Sequence, residues 1–185
     1  MELPQVVQLS AVTRFVYSCL LPRLRMNNSA WDPKSAPLEV RQTLSDLLNT
    51  AVLLARADMG KIHLFDAAKS ALNIVAHHGF SDELVAYFRG VDSEDESVCK
   101  RALISKTRVV IDDVSIDPFY ARHVDAVKKV GFNAVQCTPL VNEDGEIVGA
   151  LVTHYKKPHR LSPEEVDALD QVARHVAAQL ERLMQ

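Results

Sequence analysis

Apolar and polar positions along the chain fall into two periods, and each change of period marks a new element. From Asn133 to Tyr155 they alternate in two runs, NAVQCTPLV and EIVGALVTHY, separated by Asn142-Glu143-Asp144-Gly145. Asp-Gly supplies the positive φ that a tight hairpin turn needs, so the two runs predict paired antiparallel strands. Ser162-Pro163-Glu164-Glu165 follows, with a hydroxyl N-cap, proline at the first helical position and carboxylates at the positive helix end. The helix it opens carries Val166, Leu169, Ala173, Val176, Leu180 and Leu183 at steps of three and four, widened by Ala168 and Val172. The pattern stops in mid-stripe without a C-cap, which predicts that the helix continues in a longer parent protein.

The same reading places the remaining elements. Residues 5–21 predict a helix with Leu9, Val12, Val16 and Leu20 on one face, and Asn27 to Pro37 is a linker rich in Asn, Ser and Pro. Residues 38–57 predict a second helix with the stripe Val40, Leu44, Leu47, Ala51, Leu54. Residues 61–66 and 71–78 alternate as strands, 81–89 and 95–105 read as short helices, and 108–112 as a short strand. Asp117-Pro118 caps a helix that ends before Gly131, a residue suited to the left-handed C′ position. The order is α+β rather than a βαβ alternation. The expected organisation is a helical extension over 1–24, a linker over 25–37 and one domain over 38–185.

Strand geometry then sorts side chains by face. With Val141 opposite Glu146, Val135 pairs with Val152 and Cys137 with Ala150, which puts them on one face with Val148 and His154. Gln136, Thr138, Leu151 and Thr153 take the other face. On the helix after Asp117, His123 shares a stripe with Phe119, Ala126, Val127 and Val130.

Composition narrows the function. At 185 residues the chain can bury a substantial core, and 24% charged residues with a formal net charge of -3 give no global pull toward nucleic acid. Cysteines at 19, 99 and 137 lack paired spacing, which argues for a reducing compartment and against a disulfide framework or structural zinc. The apolar run Val6 to Leu21 is broken by Gln8, Thr13 and Arg14 and has no cationic leader, so neither a membrane segment nor a signal peptide is expected. The expected localisation is cytoplasmic. His123, His154 and Cys137 could ligate a metal or haem by residue type, but no ligand spacing supports such a site. His77-His78 before Gly79 is expected to be exposed.

The hairpin and helix resemble the C-terminal half of a GAF domain, the small-ligand sensor module of bacterial kinases, cyclases and transcription regulators. The resemblance is carried by Val135-Gln136-Cys137-Thr138-Pro139-Leu140, Gly145, Gly149-Ala150-Leu151, Thr153-His154-Tyr155, Pro158-His159 and Leu169-Asp170, and upstream by Val98-Cys99, Ala102-Leu103, Val109-Val110, Asp112-Asp113-Val114 and Asp117-Pro118-Phe119. It spans residues 38–185 and implies a central antiparallel sheet of about six strands, with the terminal helices on one face and a helix-roofed ligand pocket on the other. It also implies that His154 and His123 look into that pocket, as their counterparts do in bilin-binding relatives. The candidate ligand-binding residues are therefore Phe119, His123, Val127, Val135, Cys137, Val152 and His154.

Departures from the better-known branches narrow the ligand. The bilin-attaching Cys beside the pocket His is here Arg122, the bilin-contacting Asp-Ile-Pro motif is absent, and the Asn-Lys-Phe-Asp-Glu signature of cyclic-nucleotide binders has no place in the chain. Asp92, Glu94, Asp95 and Glu96 would oppose a phosphate at the helix near Val98. The free methionine sulfoxide reductase branch places a cysteine near Cys99, but Lys100 follows it and no resolving Cys lies between Asp112 and Gly131. The expectation is a non-catalytic small-molecule sensor in bacterial signal transduction, for instance in a two-component system. Its ligand would be mainly apolar or heteroaromatic, no cofactor is named, and the terminal helices would form a homodimer. The alternatives are a structural dimerisation module with a collapsed pocket, or the reductase-like enzyme.

Overall fold

The structure, a computed structural model, describes residues 37–67, 69–81, 83–86, 97–122 and 124–184. The helix expected over 5–21, the linker before Pro37 and the acidic run at 92–96 lie outside the described residues. So does His123.

Helix α1 (Leu38–Leu54) buries Leu44, Leu48, Ala51 and Val52 on one face. It stops three residues short of the expected end because Arg56 takes a left-handed conformation at φ 50. The Arg56 amide donates to the Leu53 carbonyl and the Ala57 amide to the Val52 carbonyl, the bond pair that closes a helix with a left-handed residue. Strands β1 (Met59–Asp66) and β2 (Ala71–His78) follow. Residues 83–86 are helical, and α2 (Val98–Ser105) starts on Ser97, whose hydroxyl accepts the Lys100 amide at 3.2 Å. Strand β3 (Val109–Ile111) leads to α3 (Pro118–Arg122), capped by Asp117, and to α4 (Val124–Val130), which Gly131 ends at φ 80 as the sequence predicts. Strands β4 (Ala134–Val141) and β5 (Ile147–Tyr155) form the expected hairpin, and α5 (Pro163–Met184) closes the fold.

The five strands form one antiparallel sheet in the order β2-β1-β5-β4-β3, close to the six implied by resemblance. Two cores lie on its two faces. One packs α1 and α5 against Ile62, Leu64, Leu140, Val148 and Leu151. The other packs α2, α3 and α4 against Phe65, Val135, Cys137, Ala150 and Val152. The α+β architecture, with terminal helices on one face and a helical roof on the other, is therefore the one expected.

The hairpin register departs from expectation by two residues. Val135 faces His154 and Cys137 faces Val152, because a bulge beside the turn sets Leu140 opposite Gly149 but Val141 opposite Ile147. Asn142 accepts the Gly145 amide through its carbonyl and the Glu146 amide through its side chain, which widens the turn by one residue. A shift of two preserves faces, so Val135, Cys137, Val152 and His154 still share one. Val148, the residue left over at the bulge, turns instead into the core beneath α1 and α5.

Candidate functional site

The two central strands and the helical roof build the candidate site. Strand β4 brings Val135 and Cys137, β5 brings Val152 and His154, α3 brings Phe119 and α4 brings Val127; the five apolar members belong to one buried cluster. His154 meets that cluster through two aromatic edges, with Phe132 at 4.8 Å and Phe80 at 5.2 Å between ring centroids. The six described members thus lie together between sheet and roof. They are closely packed, none more than 7% exposed.

Sequence reasoning missed the polar part of this face. On β1, Lys61 opposes Val152, His63 opposes Ala150 and Met59 opposes His154, so Lys61 and His63 point to the same side as the candidate residues. Both are fully buried, and the Lys61 ammonium lies 5.8 Å from the centre of the Phe80 ring. An alternation argument could not find them, because β1 is covered on both faces and every residue in it is buried. Their only signal was parity with Met59 and Phe65. Both are basic side chains held on the roof-side face of the sheet, within an otherwise apolar region.

A second polar arrangement lies under α5. The Arg108 guanidinium bonds the Thr138 hydroxyl at 2.9 Å and the Asp170 carboxylate at 2.6 Å, so the start of β3 is tied to the terminal helix. Thr138 donates to Gln136, Gln136 donates to Thr153, and Thr153 lies 3.1 Å from the Tyr155 hydroxyl. Burial pushes the Tyr155 phenol up to about 12, partly offset by its bond with Thr153. His159 stacks on Tyr155 and meets Glu165, whose carboxylate also accepts the Ser162 amide at 2.8 Å, while the Ser162 hydroxyl accepts the Glu165 amide. The hydroxyl cap predicted at Ser162 is therefore formed, and Glu165 completes it by accepting the Ser162 amide.

An open cleft of about 600 Å³ lies elsewhere, at the β3 edge between the starts of α3 and α5, with Arg101 and Arg160 on its walls. Cys99 and Cys137 are both buried thiols in the roof-side cluster. His77 and His78 are exposed, as expected. Among the described residues no group of three His, Cys, Asp or Glu could hold a metal ion, and no helix is long and apolar enough to cross a membrane.

The family model described as the GAF domain matches residues 37–181. No curated protein matches the chain. Among solved structures, a domain of a protein described as a two-component sensor histidine kinase from Sinorhizobium meliloti is similar at TM-score 0.64 and 24% identity, covering 80% of this chain and 93% of that one. The GAF domain of a phosphoenolpyruvate-protein phosphotransferase from Coxiella burnetii is similar at TM-score 0.67 and 19% identity, with 81% and 86% covered. A type II free methionine-R-sulfoxide reductase from Thermoplasma acidophilum reaches TM-score 0.60 at 16% identity, covering 83% of this chain and 98% of that chain. At these identities the likeness shows the fold.

Proposed function

Since the chain belongs to the GAF domain family, we propose that it is a non-catalytic sensor domain, binding a small molecule between sheet and roof and passing occupancy to its terminal helices. The observation that carries this reading is the roof-side face, where buried His154, Lys61 and His63 sit among Phe80, Phe132, Val135 and Val152. An apolar enclosure with a few convergent polar groups suits a small heteroaromatic or apolar ligand bearing one or two hydrogen-bonding atoms. Strand β5 provides the route outward. Its Val152 faces the roof and its Leu151 faces α1 and α5, and the chain then runs through the Ser162 cap directly into α5. A ligand changes output only through its different affinity for two helix arrangements, typically about 1–3 kcal/mol of coupling.

The close packing of the candidate residues favours a second reading, a structural module whose pocket is collapsed. Native mass spectrometry of the protein purified from its own host separates the two. A bound small molecule that is lost in Val152→Trp, with circular dichroism unchanged, is the expected result. A bare chain of sequence mass in repeated preparations rejects the sensor reading in favour of the structural one.

The remaining parts of the proposal are a cytoplasmic setting, a C-terminal output domain in a longer parent protein and a homodimer through the terminal helices. Val176 and Leu180 are buried inside the protomer, so the dimer surface is assigned to the exposed Leu53 and Leu54 of α1. Thiol catalysis is not proposed. Cys99 and Cys137 are both inaccessible, and a catalytic thiolate needs access to its substrate. Methionine sulfoxide reduction that disappears in Cys99→Ser would overturn this.

A further inference from the structure

The cleft at the β3 edge is distinct from the roof-side face and carries its own chemistry. Arg101, on α2, gives one guanidinium nitrogen, Nη1, to Asp117 at 3.1 Å. Its Nε and Nη2 are shielded from solvent and have no hydrogen-bond partner among the described residues. Those two nitrogens form the side fork of the guanidinium, whose parallel N–H groups match the two oxygens of a carboxylate. Leaving such donors unmade is costly, so their pairing would be a source of affinity.

The other charges of the cleft decide the sign of the ligand. Asp117 is already committed, with one oxygen on Arg101 and the other accepting the Phe119 and Tyr120 amides. Arg160, 88% exposed, reaches Asp112 at 3.5 Å. Asp113 lies on the cleft wall with its carboxylate bonded only locally, to the hydroxyl and amide of Ser115. Beyond these pairings the cleft offers the solvent-shielded Arg101 fork, the outer guanidinium nitrogens of Arg160, the second oxygen of Asp112 and the Asp113 carboxylate. A simple anion would meet those aspartates, and a simple cation would leave the fork unpaired. Between them the walls are apolar, made by Ile111, Ile116, Pro118, Leu161 and Val166.

We infer that this cleft is a binding site for a small zwitterion with an apolar body, of the α-amino acid class. A turn of the Arg101 side chain, a third of which is exposed, brings the fork to the ligand carboxylate; the ammonium faces Asp112 and Asp113, and the apolar body lies on Leu161 and Val166. Val166 belongs to the first turn of α5, and its carbonyl also accepts from Arg108, so an occupant touches the terminal helix directly. The site is independent of the roof-side reading.

Methyl NMR of the whole chain, titrated to millimolar concentrations, tests it. The probes are L-leucine, leucinamide, which lacks the carboxylate, and isocaproate, which lacks the ammonium. L-leucine is expected to shift the methyls of Ile111, Ile116, Leu161 and Val166 while leaving Val135 and Val152 still, with the other two probes weaker by roughly tenfold or more. Arg101→Lys keeps the charge beside Asp117 but removes the fork, and is expected to weaken L-leucine by a similar roughly tenfold factor. Three results would overturn the inference: no shifts with L-leucine, shifts confined to Val135 and Val152, or unchanged affinity in Arg101→Lys. Shifts confined to Val135 and Val152 would at the same time favour the roof-side site.

Discussion

Gly149 sits where a side chain has no room. A Cβ there would collide with the backbone carbonyl oxygen of His63 and come within 2.8 Å of Leu180 Cδ1, so strand, neighbouring strand and terminal helix all converge on a missing methyl. Gly149→Ala is expected to destabilise the domain by about 1–3 kcal/mol or more, as overpacking does, with urea denaturation as the check; an unchanged midpoint would refute the close approach. Tyr155 makes a second prediction at this scale. Its neutral phenol is favoured in the folded protein up to about pH 12, whereas the unfolded side chain ionises near its usual 10. Between those values the folded state holds the extra proton, so this contribution to stability is complete below pH 10 and is lost as pH rises toward 12. Ultraviolet titration should show a late tyrosinate step that Tyr155→Phe removes. The faces of Cys137, Val152 and His154 were legible because side-chain parity survives a register error of two. Lys61 and His63 were not, because a strand covered on both sides carries no alternation to read.

Helix α5 shows what an element's pattern does and does not encode. The Ser162 cap was readable in full, since hydroxyl, proline and glutamate each have one place in a helix start. Ser162→Ala should cost about 0.5–2 kcal/mol, measured by denaturant, because it leaves the Glu165 amide without its acceptor. The heptad stripe was equally clear, but an apolar stripe looks the same whether a sheet or a partner chain covers it. Here Leu169, Val176 and Leu180 are buried against the sheet and α1, so these positions are not available as a seam between protomers. Val176→Glu with Leu180→Glu is therefore expected to unfold the domain rather than dissociate a dimer, since it buries unpaired carboxylates. A cooperative, native-like melt of that double variant would return the seam to the surface.

At the scale of the whole molecule, one antiparallel sheet separates a helical cover from a helical roof, and β5, like β1 and β4, sends alternate residues into both cores. The order of elements was legible from period and turn chemistry, and the division into cover and roof from the resemblance to the GAF fold. The edge cleft was not, because Arg101, Asp117, Arg160 and Leu161 are brought together by α2, α3 and the approach to α5, far apart in sequence. Leu53 and Leu54 of α1 are 76% and 47% exposed, and replacing both with Glu should turn a sedimenting dimer into a monomer without loss of helicity. A wild-type chain that already sediments as a monomer would remove the dimer from the proposal.

Amide hydrogen exchange, comparing protein carrying its host-derived ligand with the same protein stripped of it, addresses the coupling itself. The sensor account expects ligand removal to change exchange in β5 around Val152 and also in α5 from Val172 to Leu180, on the opposite side of the sheet. Exchange that changes at Val152 and the roof while α1 and α5 stay identical would contradict the claim that occupancy reaches the terminal helices.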